Sequence, residues 1–238
     1  VTYYIMKSLS IKEIFLNSFK YTISDWVAIV ILGIILTFLS ILNNFNRDIN
    51  IIMWVAITIL SLIEMGYSFK IIEQTLQGST KPPIFRNFKE LIIHGIKDTI
   101  VYAFYFTLML IVSFLLISMI HSIPESSLIG IILAIIVIGF IFLLLFVSLI
   151  NLAKHDGKLR YAFHFRELYS LLKRIGIGRI IIVYILAMLI EYLLIKTFIT
   201  GENIPHMSFV AIIRNLIVTP FLVIFTERTI ALSAFNKI

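Results

Sequence analysis

Residues 128–153 read LIGIILAIIVIGFIFLLLFVSLINLA, 26 residues without an acid or a base. A helix crosses a hydrocarbon core in ~20 apolar residues, so this run predicts a transmembrane helix. Composition says the same of the whole chain. Hydrophobic residues make up 60% and charged residues 14%, and the mean hydropathy is +1.04. Soluble proteins carry roughly 45–50% apolar residues. A chain of 238 residues has room for about six or seven spans and no large soluble domain.

Outward from that run the pattern continues in both directions. Toward the amino terminus, spans are expected at about Thr99–Ile120, Ile51–Thr75 and Trp26–Leu42, and toward the carboxyl terminus at about Ile180–Thr200 and Ser208–Thr229. The first apolar run starts at Trp26 without an Ala-x-Ala exit, so it reads as an anchor and not a cleaved signal. Gly78-Ser79-Thr80-Lys81-Pro82-Pro83 is a loop, because tandem proline removes backbone donors and disfavours the α region before it. Pro220 should bend the sixth span.

Three short segments precede the hairpins at a fixed interval. They are Ile11-Lys12-Glu13-Ile14, Phe88-Lys89-Glu90-Leu91 and Phe165-Arg166-Glu167-Leu168, and both intervals, Lys12 to Lys89 and Lys89 to Arg166, are 77 residues. A second base follows each at Lys20, Lys97 and Arg174, and an acid falls in each following turn, at Asp48, Glu125 and Glu202. Equal spacing predicts an internal repeat. In each segment apolar residues recur at helical spacing opposite the charges, which predicts a short amphipathic helix in the interface plane. The expected architecture is all-α: six transmembrane helices as three parallel-repeat hairpins, each preceded by an interfacial helix. It forms one membrane domain over residues 1–238, with repeats at about 11–87, 88–164 and 165–238.

Charge sets the orientation. The amino-terminal segment holds Lys7, Lys12 and Lys20, the 70–97 connection five bases and the 154–179 connection seven, whereas the opposite turns hold only Arg47, with Lys196 at a span edge. By the positive-inside rule both termini are expected in the cytoplasm of a cell-membrane protein, with Asp48, Glu125 and Glu202 outside. The net charge of +7 therefore reports topology, and no nucleic-acid partner is expected. Membrane lipids are the expected partners, with Lys12, Lys20, Lys89, Lys97, Arg166 and Arg174 as candidate headgroup contacts.

The residues also carry a resemblance. Phe19-Lys20-Tyr21 with Asp25-Trp26, then Gly78, Pro82-Pro83, Phe88, Gly95 and Lys97, resemble an uncharacterised domain-of-unknown-function family of multi-pass proteins found mainly in methanogenic archaea. The likeness extends over most of the chain. Where that family tends to have Trp followed by acids in the loop, this chain has Phe85-Arg86-Asn87. A more distant likeness, to the membrane domain of some glycerophosphodiester phosphodiesterases, implies a lipid-related setting.

Catalytic chemistry finds no anchor. The chain has no cysteine, hence no disulfide or thiol nucleophile. His94, His121, His155, His164 and His206 lack metal-ligand spacing, and Gly176-Ile177-Gly178 lacks the lysine of a phosphate loop and reads as a helix junction. No enzyme activity, cofactor or metal is expected. The functional candidates are intramembrane charges, Glu64, Glu191 and Arg214, since a lone charge at mid-bilayer costs ~2.5–3.5 kcal/mol. Seventy-seven residues from Glu64 and Arg214 stand Ile141 and Val137, so these charges break the repeat. Glu191 and Arg214 are expected to pair within the third hairpin. The leading functional reading is a non-enzymatic membrane scaffold or lipid-interacting module. The alternative is a small-solute or ion permease, which needs a polar cavity reaching Glu64.

Overall fold

A computed structural model describes residues 9–44, 51–122, 127–198, 209–235 and 237, and all its regular structure is helical. The helices are α1 (Ile11–Ile23), α2 (Trp26–Asn44), α3 (Ile51–Leu76), α4 (Phe88–Ser122), α5 (Ser127–Lys154), α6 (Phe165–Ile175), α7 (Ile177–Phe198), α8 (Phe209–Ile213) and α9 (Thr219–Ala234). A π-helical turn, Arg214–Val218, joins α8 to α9. Six helices, α2, α3, α4, α5, α7 and the continuous 209–234 rod, are long and apolar enough to cross a membrane.

Helix packing follows a cyclic order. The second helix of each pair, α3, α5 and α9, touches the other two, and each first helix lies on its own partner and on the second helix of the preceding pair. Thus α2 packs on α3 and α9, α4 on α5 and α3, and α7 on α9 and α5. The short helices obey the same order, α1 lying on α9 and α6 on α5. They cover one end of the bundle, and the buried core is concentrated there: Tyr67, Phe69, Ile71 and Ile72 of α3, Val147, Ile150 and Leu152 of α5, and Ile224, Ala231 and Leu232 of α9. The other halves of these helices expose Trp54, Ile135 and Phe209, as apolar side chains facing lipid would.

One lead-in segment departs from the sequence expectation. The second does not form a helix of its own; α4 runs unbroken from Phe88 through the expected junction to Ser122. At the first junction the Ser24 N–H turns back to the Tyr21 carbonyl, and Asp25 Oδ1 restarts α2 by accepting from the Val27 and Ala28 amides at 3.0 and 3.1 Å. Gly176, at φ 94°, ends α6. The corresponding stretch of α4 holds Asp98 and Thr99, but Asp98 Oδ1 accepts no hydrogen bond, and Thr99 Oγ1 donates back to Gly95 O at 2.7 Å without leaving the helix. The acids Asp48, Glu125 and Glu202 lie outside the described residues.

Two crossings bring backbones together. On α3 and α4, a β-carbon at Gly66 would strike the Leu91 carbonyl, and one at Gly95 the Leu62 carbonyl. Small residues allow this approach where two apolar helices have no other driving force than packing. In the second crossing, Gly33 of α2 meets the Leu216 carbonyl. Pro220 has no N–H to offer that carbonyl, and a π turn lies one step earlier, with the Thr219 N–H reaching Arg214 O.

The connecting loops fold onto the same end. Tyr67 Oη donates to Pro83 O at 3.0 Å, and the Tyr67 ring stacks on Phe85 with 3.9 Å between centroids. Lys70 Nζ bridges Glu73 at 2.8 Å and Glu90 at 2.6 Å. In the 155–164 segment, Ser148 Oγ and Tyr105 Oη donate to Ala162 O at 2.6 and 3.2 Å, and Glu167 holds His164 at 3.2 Å and His155 at 3.6 Å.

Candidate functional site

The buried face of α4 is a single stripe through Leu91, His94, Asp98, Val101 and Tyr105, spaced by the three or four residues of a helical turn. Because α4 does not break, Asp98 stays on that stripe and is carried into the bundle. It is 4% exposed, and its Oδ1 atom has no hydrogen-bond partner. On α9, Glu227 is half-buried, and its acidic neighbours are Asp98, Glu64 and Glu191. Glu64 on α3 is likewise half-buried.

Two tyrosines complete the group. Tyr102, one turn beyond Asp98, lies within the fields of Glu227, Asp98 and Tyr184, and Tyr184 lies within that of Glu191. Tyr102 also lines an apolar cavity of about 520 Å³ between α4 and α5, with Thr99, Ala103, Phe106, Met109, Phe142 and Leu145. The group thus draws on four spans, α3, α4, α7 and the 209–234 rod. Among the described residues, none of its four carboxylates takes part in an ion pair, and no three potential ligands converge closely enough to hold a metal ion.

This arrangement is chemically distinctive. An ionised carboxylate in a low-dielectric interior needs a counter-charge or hydrogen-bond donors, and several together repel one another. With no base present, the group is stable when it holds protons or a positively charged guest. Binding and releasing such a species is what these side chains can do.

The sequence candidates fare unequally. Glu64 and Glu191 belong to this group, but Glu191 and Arg214 form no ion pair, and Arg214 Nε donates instead to its neighbour Asn215 Oδ1 at 3.3 Å. The reason is rotational. The expectation matched the two residues by depth alone, while the direction of a side chain around its helix decides what it meets, and the π turn beginning at Arg214 alters that phase. Of the candidate headgroup contacts, Lys12, Lys20, Lys89, Arg166 and Arg174 are exposed, whereas Lys97 turns toward the Gly157 loop.

Asp98 and Glu227 are absent from the sequence candidates because both fall beside expected span ends, where charge is ordinary. One signal does single out Glu227: it stands 154 residues, two intervals of 77, beyond Glu73. Glu73 is neutralised by Lys70, but 154 residues beyond Lys70 stands Ile224. The acid recurs and its base does not.

The family model described as "Protein of unknown function (DUF4013)" matches residues 49–202, and the chain belongs to that family. No curated protein and no solved structure matches it.

Proposed function

We propose that this member of a family of unknown function is a small-solute or ion permease, moving a cation or a solute coupled to protons through the group formed by Glu64, Asp98, Glu191 and Glu227. The observation that carries this reading is the absence of any base among those four acids. A scaffold would gain nothing from uncompensated carboxylates within its spans, where an unpaired charge is costly, whereas a carrier of positive charge requires them. Transport sites in other carriers likewise lie where helices of different repeats meet. The cyclic packing of α3, α5 and α9 supports a threefold repeat with that geometry, and the base-rich segments support cytoplasmic termini. Nothing in this chemistry calls for catalysis, and the protein acts without enzymatic turnover.

A second reading is compatible and rests on α6. Leu168, Leu171, Leu172 and Ile175 are buried on one face, while Arg166, Lys173 and Arg174 are exposed on the other, which supports contact with anionic headgroups at about 1 kcal/mol per base.

The test is flux in reconstituted vesicles. With a potassium gradient or a pH gradient imposed and a pH-sensitive dye inside, the wild type is expected to move charge or protons, and D98N and E227Q to abolish the movement. A wild type indistinguishable from empty vesicles, or variants equal to wild type, would remove the permease from consideration.

A further inference from the structure

The end of the bundle covered by α1 holds a cation in an unusual position. Arg228 of α9 is 5% exposed, and among the described residues no carboxylate lies within ion-pair distance of it. One guanidinium nitrogen, Nη2, donates to Asn17 Oδ1 of α1 at 3.1 Å. The other two, Nε and Nη1, are buried without any partner. The guanidinium lies 4.2 Å from the centroid of the Tyr21 ring, which accounts for one of its faces and leaves its edge free.

The surroundings are donors. The hydroxyls of Tyr21, Ser18 and Thr75 are buried and unpartnered. Ser18 and Tyr21 lie three residues apart on the buried face of α1, and Tyr21 neighbours both Thr75 and Arg228. Burial pushes the Tyr21 hydroxyl up to about 12, against the pull of the Arg228 guanidinium and Thr75, so it is a donor at neutral pH. A buried arginine with two free N–H groups and several unpartnered hydroxyls beside it lacks one kind of component, an anion with several acceptor oxygens. Arginine offers a planar fork that suits two oxygens of one phosphate.

We infer that Arg228, Tyr21, Ser18 and Thr75 form a binding site for a phosphate-type oxyanion beneath α1. This site is separate from the carboxylate group and does not depend on the permease reading. Access is from the edge of α1, where Leu16, Phe19 and Ile23 are exposed beside exposed Lys20, a surface of the kind that meets both acyl chains and headgroups. The helix is fastened over the site by ring contacts, Phe15 to Phe225 at 5.9 Å and Phe19 to Phe221 at 5.8 Å. An anion seated there ties α1, α3 and α9 to one another. Its source is a phosphodiester lipid headgroup or free phosphate, and the two are separable.

The experiment uses the full chain, purified in neutral detergent and stripped of lipid. Dioleoylphosphatidylglycerol, dioleoylglycerol (without phosphate) and inorganic phosphate are titrated separately while native mass spectrometry and thermal melting are followed. The wild type is expected to retain one phosphatidylglycerol per chain and to melt higher with it, and to ignore dioleoylglycerol. R228Q should weaken retention about tenfold or more, Y21F less, and K81Q, at an exposed loop lysine, not at all. Inorganic phosphate reproducing the effect assigns the site to a soluble anion, and its failure beside phosphatidylglycerol assigns it to a lipid; each outcome supports the site. A wild type stabilised by neither anion, or R228Q and K81Q weakening retention equally, overturns it. Should R228Q fail to fold, Y21F decides, and an affinity equal to that of the wild type overturns the inference.

Discussion

Gly66→Ala is expected to destabilise the protein although alanine is the better helix former. At the α3–α4 crossing the added methyl would strike the Leu91 carbonyl oxygen and lie 3.0 Å from the Gly95 amide nitrogen, both rigid helical backbone. Ordinary contact requires the helices to part by roughly 1 to 1.5 Å, in a close-packed interior where such a shift is not absorbed locally. Overpacking of this kind costs about 1–3 kcal/mol, against a propensity gain near 1 kcal/mol. The shift also strains the Lys70–Glu90 contact, 2.6 Å long, between the same two helices. From the middle of that range the net loss is about 1 kcal/mol, a fall in melting temperature of roughly 2–4 °C in a chain of this size. Gly95→Ala faces the Leu62 carbonyl across the same interface, so the double variant should lose less than the sum, because helices already parted by one methyl have room for the other. Gly139→Ala on α5 meets nothing within 4 Å and should leave melting unchanged or raise it slightly. The assay is thermal melting in detergent micelles. Gly66→Ala melting with the wild type, or losses strictly additive in the double variant, would refute the close crossing.

Three further outcomes are expected. The charge exchange Glu191→Arg with Arg214→Glu should recover nothing beyond the two single changes in a melting cycle, since the residues do not meet; recovery would show that they do. Tyr67→Phe removes the hydroxyl that donates to Pro83 O at 3.0 Å and keeps the ring on Phe85, so it should cost about 1 kcal/mol and speed proteolysis of the 77–87 loop, and an unchanged cleavage rate would count against that bond. Burial pushes the Glu167 carboxyl up, but the hydrogen bond from His164, the charge of His155, the Asn151 amide and Lys154 together hold it below the ordinary carboxylate range. A depressed folded value means that its stabilisation is complete above the unfolded carboxylate range and is lost as pH falls through the folded value. Wild type should therefore lose melting temperature on acidification below about pH 4.5 more steeply than Glu167→Gln, and parallel profiles would exclude the linkage.

The sequence by itself determined what depends on local composition. A span is recognised by the cost of transferring its own residues into hydrocarbon, so the helices Trp26–Asn44, Ile51–Leu76 and Ser127–Lys154 lie within a residue or two of the runs read from the chain. Breaks marked by their own chemistry were equally legible, as at Gly176 and the paired prolines. What the sequence left open depends on direction around each helix and on neighbours distant in the chain. Asp98 looked like the last charge of a surface helix, and only the unbroken course of α4 put it on the buried stripe. Glu227 looked like an ordinary charge at a span end until α1, α2, α3 and α7 packed against α9. Whether Glu191 and Arg214 meet depends on direction around their helices as well as on depth, which a count of residues from the turn does not contain. Whether a buried charge has a partner is a property of three-dimensional proximity, and for Asp98, Glu227 and Arg228 the fold alone decided it.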